Sequence, residues 1–231
     1  MEIDERIEHA IKNTKVMRSP KQKLATFGVT SITYYLITEP VYGELVKGGE
    51  ETVIRDGRVI SERPKIVTPS YLTQLDGFGE NARGYIEKLV RERPDAAGLF
   101  YSYRNELRRV DIVSGPVEDV ADRLNQRLDK AEDSLTAIIR GVDELWDVSL
   151  LKFIAELTEQ SVRDNIAELR GEGLLGVDES GVTRHARYLI EQLFGAVRAD
   201  PTRSGELRSE LERWGLWSEY EDRFLDLFRY R

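Results

Sequence analysis

Residues 146–175 read WDVSLLKFIAELTEQSVRDNIAELRGEGLL, and the apolar spacing of this stretch decides our prediction of the fold. Two apolar stripes recur at helical intervals, so we predict two short helices joined by a tight turn near residues 158–160. Thr158 can cap the second helix through its hydroxyl, and Gly171 or Gly173 can end it. The first stripe comprises Leu150, Leu151, Ile154 and Leu157, and the second comprises Val162, Ile166 and Leu169.

The residues that follow, 174–184, read LLGVDESGVTR and predict a short hairpin with its tip at Glu179-Ser180-Gly181. Helix, turn, helix and hairpin in this order resemble the winged helix-turn-helix of prokaryotic transcriptional regulators. Residues 135–145 would supply the preceding helix of a three-helix core, and residues 188–194 a helix after the wing. The resemblance covers residues 153–184 and rests on FIAELT at 153–158, SV at 161–162, Ile166, Leu169, GLL at 173–175 and DESG at 178–181.

In this family the second helix enters the major groove of DNA. The resemblance therefore implies that polar residues on the outward side of that helix, and at the base of the wing, contact duplex DNA. Asp164 and Glu168 lie on the same side and would repel the phosphate backbone. The implied DNA-contacting residues are Gln160, Ser161, Arg163, Asn165 and Arg184.

A winged helix can also serve as a protein-interaction surface, because a fold does not dictate a function. The net charge of −8 is unevenly placed: residues 1–115 contain 18 basic and 17 acidic side chains, and residues 116–231 contain 16 and 25. Duplex binding draws much of its free energy from neutralised phosphates, yet the predicted helix-turn-helix lies in the acidic half. We therefore hold two hypotheses, a DNA-binding transcriptional regulator and an assembly module whose acidic surface meets a basic protein.

The composition excludes several classes of function. With 40% apolar and 33% charged side chains among 231 residues, the chain can fold and remain soluble, and no apolar run is long enough to cross a bilayer. The absence of cysteine excludes disulfides, thiol catalysis and cysteine-ligated metals. The charged N-terminal residues lack the apolar core of a signal peptide, so we expect a cytoplasmic protein that needs no cofactor.

The first half of the chain predicts an α+β domain with a mainly antiparallel sheet over residues 1–115. Residues 28–38 are rich in β-branched and aromatic side chains and predict a strand. Asp56-Gly57, between TVIR and RVIS, predicts the two-residue turn of a hairpin, because glycine accepts positive φ. Residues 3–17 and 80–91 predict helices, and residues 99–103 and 109–113, which flank Asn105-Glu106, predict a second hairpin.

Residues 116–231 predict a helical domain, which begins after the break at Ser114-Gly115-Pro116 and contains the winged-helix-like segment 135–197. The last helix, from Trp217, places four aromatic residues on one face, so we predict a homodimer that pairs this face with its copy. These aromatic residues are Trp217, Tyr220, Phe224 and Phe228. The other helices of this half are predicted at residues 117–128, 135–145, 188–197 and 207–214.

An enzyme centred on the predicted sheet is the third hypothesis. A metal-dependent nuclease needs two or three carboxylates, often with a lysine, beside a sheet. The candidates here match no such motif, and His9 and His185 have no neighbour at a metal-ligand spacing. We therefore predict a non-enzymatic protein without a metal site, in which both histidines have surface or packing roles. The candidate residues considered are Glu39, Glu44, Asp56, Glu62 and Lys65.

Overall fold

The computed structural model describes residues 3–42, 50–68, 91 and 98–229 of the chain. The chain divides into two compact units, and each is described by itself. The first unit comprises residues 1–63 and 101–165, and the second comprises residues 64–100 and 166–231. The predicted α+β class is confirmed, since a five-stranded sheet is combined with helices that lie mostly in the second half of the chain.

The five-stranded sheet of the first unit has the order β1-β7-β2-β3-β6. Strands β2 and β7 are parallel, and the other three neighbouring pairs are antiparallel. Strands β4 and β5 form a two-stranded antiparallel sheet in the second unit. The strands are β1 (Lys15–Arg18), β2 (Thr30–Thr38), β3 (Glu51–Ser61), β4 (Lys65–Val67), β5 (Gly98–Phe100), β6 (Tyr103–Ser114) and β7 (Thr136–Arg140).

The described helices confirm four of the predicted ones, near residues 117–128, 188–197, 207–214 and from 217 onward. The predicted helix 80–91 falls outside the described residues, apart from Arg91. Within the described part of the chain, no helix has both the length and the apolar character needed to span a membrane. The helices are α1 (Ile3–Asn13), α2 (Val117–Lys130), α3 (Trp146–Gly171), α4 (Arg184–Ala199), α5 (Ser204–Arg213) and α6 (Trp217–Asp226), with 3-10 turns at Asp143–Leu145 and Pro201–Arg203.

Apolar side chains cover both faces of the five-stranded sheet. On one face, alternate residues of β2, β3 and β7 pack against α3, and on the other face Ile37 and Ile138 pack against α2. Each large apolar side chain buried in this way contributes about 1.5–3 kcal/mol. The α3 side includes Ile32, Tyr34, Leu36, Val59, Ala137, Ile139, Leu150, Phe153, Ile154 and Leu157. The buried residues of α2 are Val117, Val120, Ala121, Leu124 and Leu128, the same five that the helical spacing predicts.

The helix predicted at residues 135–145 is wrong, because residues 136–140 form strand β7 instead. Four consecutive residues, Thr136 to Ile139, are buried, since β7 lies between two strands and is covered on both faces. A strand buried on both faces shows no apolar–polar alternation and therefore looks like part of a buried helix. The first unit thus extends to Asn165, and the division of the chain differs from the predicted boundary after residue 115.

The tight turn predicted near residues 158–160 is also wrong, because α3 runs without a break from Trp146 to Gly171. The inward stripe continues past Leu157 at helical spacing through Ser161 and Asn165, which are both buried. Polar residues therefore occupy inward positions in the middle of the helix, and the apolar pattern stops although the helix does not. The predicted helix-turn-helix geometry is replaced by one helix of 26 residues.

Two predicted turns in the first unit are likewise absent, because β3 runs straight through Asp56-Gly57 and β6 through Asn105-Glu106. Gly57 has a packing role: a Cβ atom there would lie 2.5 Å from the Tyr34 hydroxyl. The extra residue of β6 near Leu107 is accommodated as a bulge opposite Asp56/Gly57. The helix predicted over residues 3–17 ends at Asn13, and the chain then enters β1.

The second unit contains a core formed by α4, α5 and α6. Phe194 of α4 and Leu207 and Leu211 of α5 are almost completely buried there. Lys65 at the start of β4 forms an ion pair with Glu210, whose side chain is only 4% exposed. The aromatic face predicted for the last helix packs into this core, and Phe228 remains 41% exposed. The homodimer through this face stays a prediction.

The predicted hairpin at residues 174–184 is present as a single β-bridge between Val177 and Thr183. Gly181 has a φ of +76°, a conformation that favours glycine. The Asp178 carboxylate accepts hydrogen bonds from the backbone N–H groups of Ser180 and Val182, at 2.9 and 3.0 Å. Although burial opposes the charged form, these bonds and the guanidinium of Arg187 lower the pKa of Asp178.

Candidate functional site

The residues predicted to contact DNA fall into two groups. Ser161 and Asn165 are buried, at 0% and 2% exposure, so neither side chain is accessible to a nucleic acid. Gln160, Arg163 and Arg184 are exposed. The expectation that all five side chains contact DNA is therefore corrected for the two buried residues, because a continuous helix turns these positions inward.

Hydrogen bonds within the first unit account for the burial of these two polar side chains. The Asn165 amide donates to the Leu24 carbonyl at 2.8 Å and to the Thr26 hydroxyl at 2.7 Å, and it accepts from the Tyr101 hydroxyl at 2.6 Å. The Ser161 hydroxyl donates to the carbonyl of Leu157 and accepts from the Leu24 N–H at 3.1 Å. Both residues therefore fasten the loop at residues 24–26 to α3.

The stretch that the winged-helix resemblance assigns to DNA contact carries little positive charge. Residues 159–184 contain six acidic and three basic side chains. In the second unit, Glu168, Glu172 and Glu179 are exposed beside Arg170 and Arg184. A phosphate backbone would meet more carboxylates than cations along this stretch.

A different feature of the first unit has the shape of a binding site. A cavity of about 980 Å³ opens at one end of the five-stranded sheet, where the parallel strands β2 and β7 have their carboxyl ends. In open sheets with helices on both faces, ligands bind in the crevice outside these strand ends. We call this cavity the crevice. Its walls come from residues within 9–15, 39–42, 50–51, 116–118 and 140–143.

An ion pair held by further hydrogen bonds lies beneath the crevice. Arg55 Nη2 and Asp143 Oδ1 are 2.8 Å apart, and the two side chains are 13% and 17% exposed. The buried Thr38 hydroxyl donates to Asp143 at 2.7 Å and accepts from Arg55 at 3.0 Å. The guanidinium also lies over the Trp146 ring, 5.5 Å from its centroid. These contacts fix the orientation of Asp143 in the crevice wall.

Arg140, at the end of β7, forms ion pairs with two carboxylates of the crevice. Its guanidinium forms ion pairs with Glu39 and with Glu118, and the Arg140 Nη2 to Glu39 Oε1 distance is 2.9 Å. The single positive charge of Arg140 is shared between two carboxylates, so this group of three side chains keeps a net charge of −1 on the central wall of the crevice. The carboxylate of Glu51 accepts a hydrogen bond from the neutral Tyr42 hydroxyl at 3.1 Å, which orients it without balancing its charge.

The corner between α1 and β1 is fixed by a buried hydroxyl. The Thr14 hydroxyl donates to the Ala10 carbonyl and contacts the Ser149 hydroxyl, both at 2.7 Å, and Lys152 donates to the Thr14 carbonyl at 2.8 Å. Gly141 is required beside Ser149, because a Cβ there would lie 2.6 Å from the Ser149 hydroxyl oxygen. This corner sets where the lysines before and after it, Lys12 and Lys15, border the crevice.

The sequence-based candidates for a metal-dependent enzyme are not gathered at one site. Only Glu39 lines the crevice, and Lys65 pairs with Glu210 in the second unit. Glu44 lies outside the described residues. In the described ranges, no group of three histidine, aspartate or glutamate side chains is placed to hold a metal ion. No local pattern in the sequence marks the crevice, because its walls come from five separate segments.

Known proteins provide no assignment for this arrangement. No known protein family, curated protein or solved structure matches the chain.

Proposed function

We propose that this chain is a non-enzymatic binding protein whose crevice takes a small polar molecule. The observation that carries the proposal is a cavity of about 980 Å³ at the carboxyl ends of β2 and β7, walled by charged side chains of both signs. Small-molecule sites have volumes of roughly 300–1,000 Å³ and often lie at this end of a sheet. A cytoplasmic location is part of the proposal and fits a chain without cysteine.

The pairing of three crevice carboxylates supports a role for these three in binding rather than catalysis. A general base must be free to accept a proton from the substrate. In the crevice, Arg140 holds Glu39 and Glu118, and Arg55 holds Asp143. These ion pairs hold the three carboxylates in fixed orientations, which suits recognition of a polar ligand by a rigid wall.

A variant that fills the crevice tests this function. Val41 lines the crevice and is 58% exposed, so Val41→Trp adds bulk at the entrance without disturbing the core. The matched control is Val29→Trp, since Val29 is 67% exposed and is not among the residues that line the crevice. Melting temperatures are measured with a panel of organic acids, amines, amino acids, short peptides and nucleotides.

We expect at least one class of compound to raise the melting temperature of the unmodified protein and of Val29→Trp, but not of Val41→Trp. A panel without any stabilising compound, or equal stabilisation of both tryptophan variants, contradicts the proposal. Isothermal titration of the stabilising compound then gives the stoichiometry, for which we expect one site per chain.

A second candidate function is contact with a basic protein through the acidic surface of the second unit. The specific observation in its favour is that Glu168, Glu172 and Glu179 are exposed and form no ion pair with any described residue. DNA contact by Gln160, Arg163 and Arg184 is the competing possibility. A fluorescence-anisotropy titration with random duplex at low salt separates them, because non-specific DNA binders associate at ~1–100 μM. We expect no binding in this range, and saturable binding would favour DNA.

A further inference from the structure

The charges left over in the crevice indicate the class of its ligand, if the proposed small-molecule function is correct. Arg140 and Arg55 form ion pairs with three of the carboxylates, and Tyr42 donates a hydrogen bond to Glu51. Among the described residues, three charged side chains of the lining have no partner. They are Lys12 and Lys15 on one wall and Glu50 on another.

The free charges of opposite sign lie on different strands. Lys12 and Lys15 flank the corner between α1 and β1, whereas Glu50 immediately precedes β3. The sheet order places β7 and β2 between β1 and β3, which makes three steps between neighbouring strands. At about 4.8 Å a step, β1 and β3 are roughly 14 Å apart across the sheet. The free cations and the free carboxylate therefore belong to opposite ends of the crevice.

The backbone at both ends is held by specific hydrogen bonds. The Thr14 hydroxyl and the Lys152 ammonium fix the corner that carries the two lysines. At the other end, the Glu50 carbonyl accepts a hydrogen bond from the Gly115 N–H at 2.7 Å. The separation between the two charged ends is thus a property of the fold.

The charged side chains in the middle of the crevice are held in ion pairs. Here the lining includes the apolar side chains of Pro40, Val41 and Val142, next to Arg140 and its two carboxylates, which together keep a net charge of −1. A ligand that spans the crevice therefore meets unpaired charges at its two ends.

We propose that the crevice binds an elongated zwitterion, a molecule with a carboxylate at one end and an ammonium group at the other, such as a short unmodified peptide. Lys12 and Lys15 bind the carboxylate, and Glu50 binds the ammonium group. An extended peptide covers at most about 3.5 Å per residue, so three residues span on the order of 10 Å, and the lysine and glutamate side chains reach across the remaining distance.

The test uses trialanine as the probe, in calorimetric titrations of the full chain at low salt. Two analogues remove one charge each: N-acetyl-trialanine lacks the ammonium group, and trialanine amide lacks the carboxylate. We expect trialanine to bind about tenfold more tightly than either analogue, since one lost charged contact of about 1.4 kcal/mol corresponds to that factor. Equal affinities for the three compounds, or the absence of trialanine binding, would overturn the inference.

Substitutions assign each charge to its end of the crevice. In Lys12→Ala/Lys15→Ala, trialanine should bind no better than trialanine amide, whereas the preference over the N-acetyl analogue remains. In Glu50→Gln, trialanine should bind no better than N-acetyl-trialanine, whereas the preference over trialanine amide remains. All three residues are exposed, so these variants should fold, and Lys130→Ala, an exposed lysine outside the lining, is the control. The inference would also be overturned if the lysine and glutamate variants lost affinity for all three compounds equally.

Failure of this inference can be told apart from failure of the proposed function. If trialanine does not bind but another compound stabilises the protein in a way that Val41→Trp abolishes, the crevice is a ligand site and only the zwitterion assignment is wrong. If no compound shows that sensitivity to Val41→Trp, the small-molecule function itself is wrong.

Discussion

The Arg55 guanidinium and the Asp143 carboxylate form an ion pair at 2.8 Å, with both side chains less than one-fifth exposed. Arg55 lies on β3 and Asp143 follows β7, so the pair connects two strands that are separated in the sheet by β2. The Thr38 hydroxyl of β2 bonds to both partners and completes the link across the three strands. The pair therefore holds Asp143, a residue of the crevice wall, in a fixed position.

Removing the charge of Asp143 should destabilise the protein strongly. Asp143→Asn keeps the size of the side chain but leaves the guanidinium of Arg55 largely buried without a counter-charge. Breaking a buried pair in this way costs about 3 kcal/mol. Urea denaturation followed by circular dichroism measures the change in the free energy of unfolding.

The control for Asp143→Asn is an exposed ion pair of the same type. Glu212→Gln breaks the ion pair between Arg208 and Glu212, whose side chains are 61% and 51% exposed. This change should lower the free energy of unfolding by less than about 0.5 kcal/mol. Comparable losses in the two variants would show that the burial of the Arg55–Asp143 pair is unimportant for stability.

Gly57 should tolerate no side chain. The Cβ atom of Gly57→Ala would lie 2.5 Å from the Tyr34 hydroxyl oxygen and 2.9 Å from the Glu106 carbonyl oxygen, so the ring and the strand must both shift. Such overpacking costs about 1–3 kcal/mol. Gly98→Ala, where an added Cβ has no neighbour within 4 Å, is the matched control in thermal denaturation. An unchanged melting temperature of Gly57→Ala would contradict the observed packing.

Asn165 should matter for stability, whereas its neighbour Arg163 should not. Asn165→Ala leaves the Leu24 carbonyl, the Thr26 hydroxyl and the Tyr101 hydroxyl without their partner in a buried site. We expect a loss of roughly 2–3 kcal/mol. Arg163→Ala removes an exposed side chain and should change the free energy of unfolding by no more than about 0.5 kcal/mol. The reverse order of effects would indicate that residue 165 faces solvent.

The stability of the protein should fall at alkaline pH partly because of Tyr101. Burial, together with the neighbouring Tyr103, raises the pKa of Tyr101 from 10.0 to about 12. The unfolded chain therefore loses this proton at lower pH than the folded chain does, so the stabilisation is complete below pH 10 and is lost between about pH 10 and 12.

Tyr101→Phe isolates this contribution. The variant should be less stable at pH 8, because Asn165 loses a hydrogen bond, but its free energy of unfolding should decline less steeply above pH 10. Denaturation in urea at several values between pH 8 and 11.5 measures both effects. Parallel declines of the two proteins would show that Tyr101 ionises alike in the folded and unfolded states.

Local patterns predict the elements that carry a strong signal within their own segment. Helix α2 has one buried side and one exposed side, so its five inward residues follow from their spacing alone. Strand β2 was recognised from its β-branched and aromatic residues. Strand β7 was missed because it is covered on both faces, and periodicity does not separate such a strand from a buried helix.

No pattern in the sequence predicts the crevice. It forms where the ends of α1, β2 and β7 and the starts of β3 and α2 meet, and nothing local indicates that Arg55 faces Asp143. Glu39 is one of the residues that the sequence alone suggests for catalysis, yet its carboxylate forms an ion pair with Arg140.

By itself, the sequence determined the α+β class, the positions of α2, α4, α5 and α6, and the turn that is closed by the Val177–Thr183 bridge, because these features depend on spacing and turn residues within one segment. Only the tertiary structure decided that α3 is one helix and that β3 passes straight through Asp56-Gly57. The physical reason is that residues distant in sequence stabilise positions that look unfavourable within their own segment. The loop at residues 24–26 forms hydrogen bonds with the inward polar residues of α3, and the Tyr34 ring fills the space above Gly57.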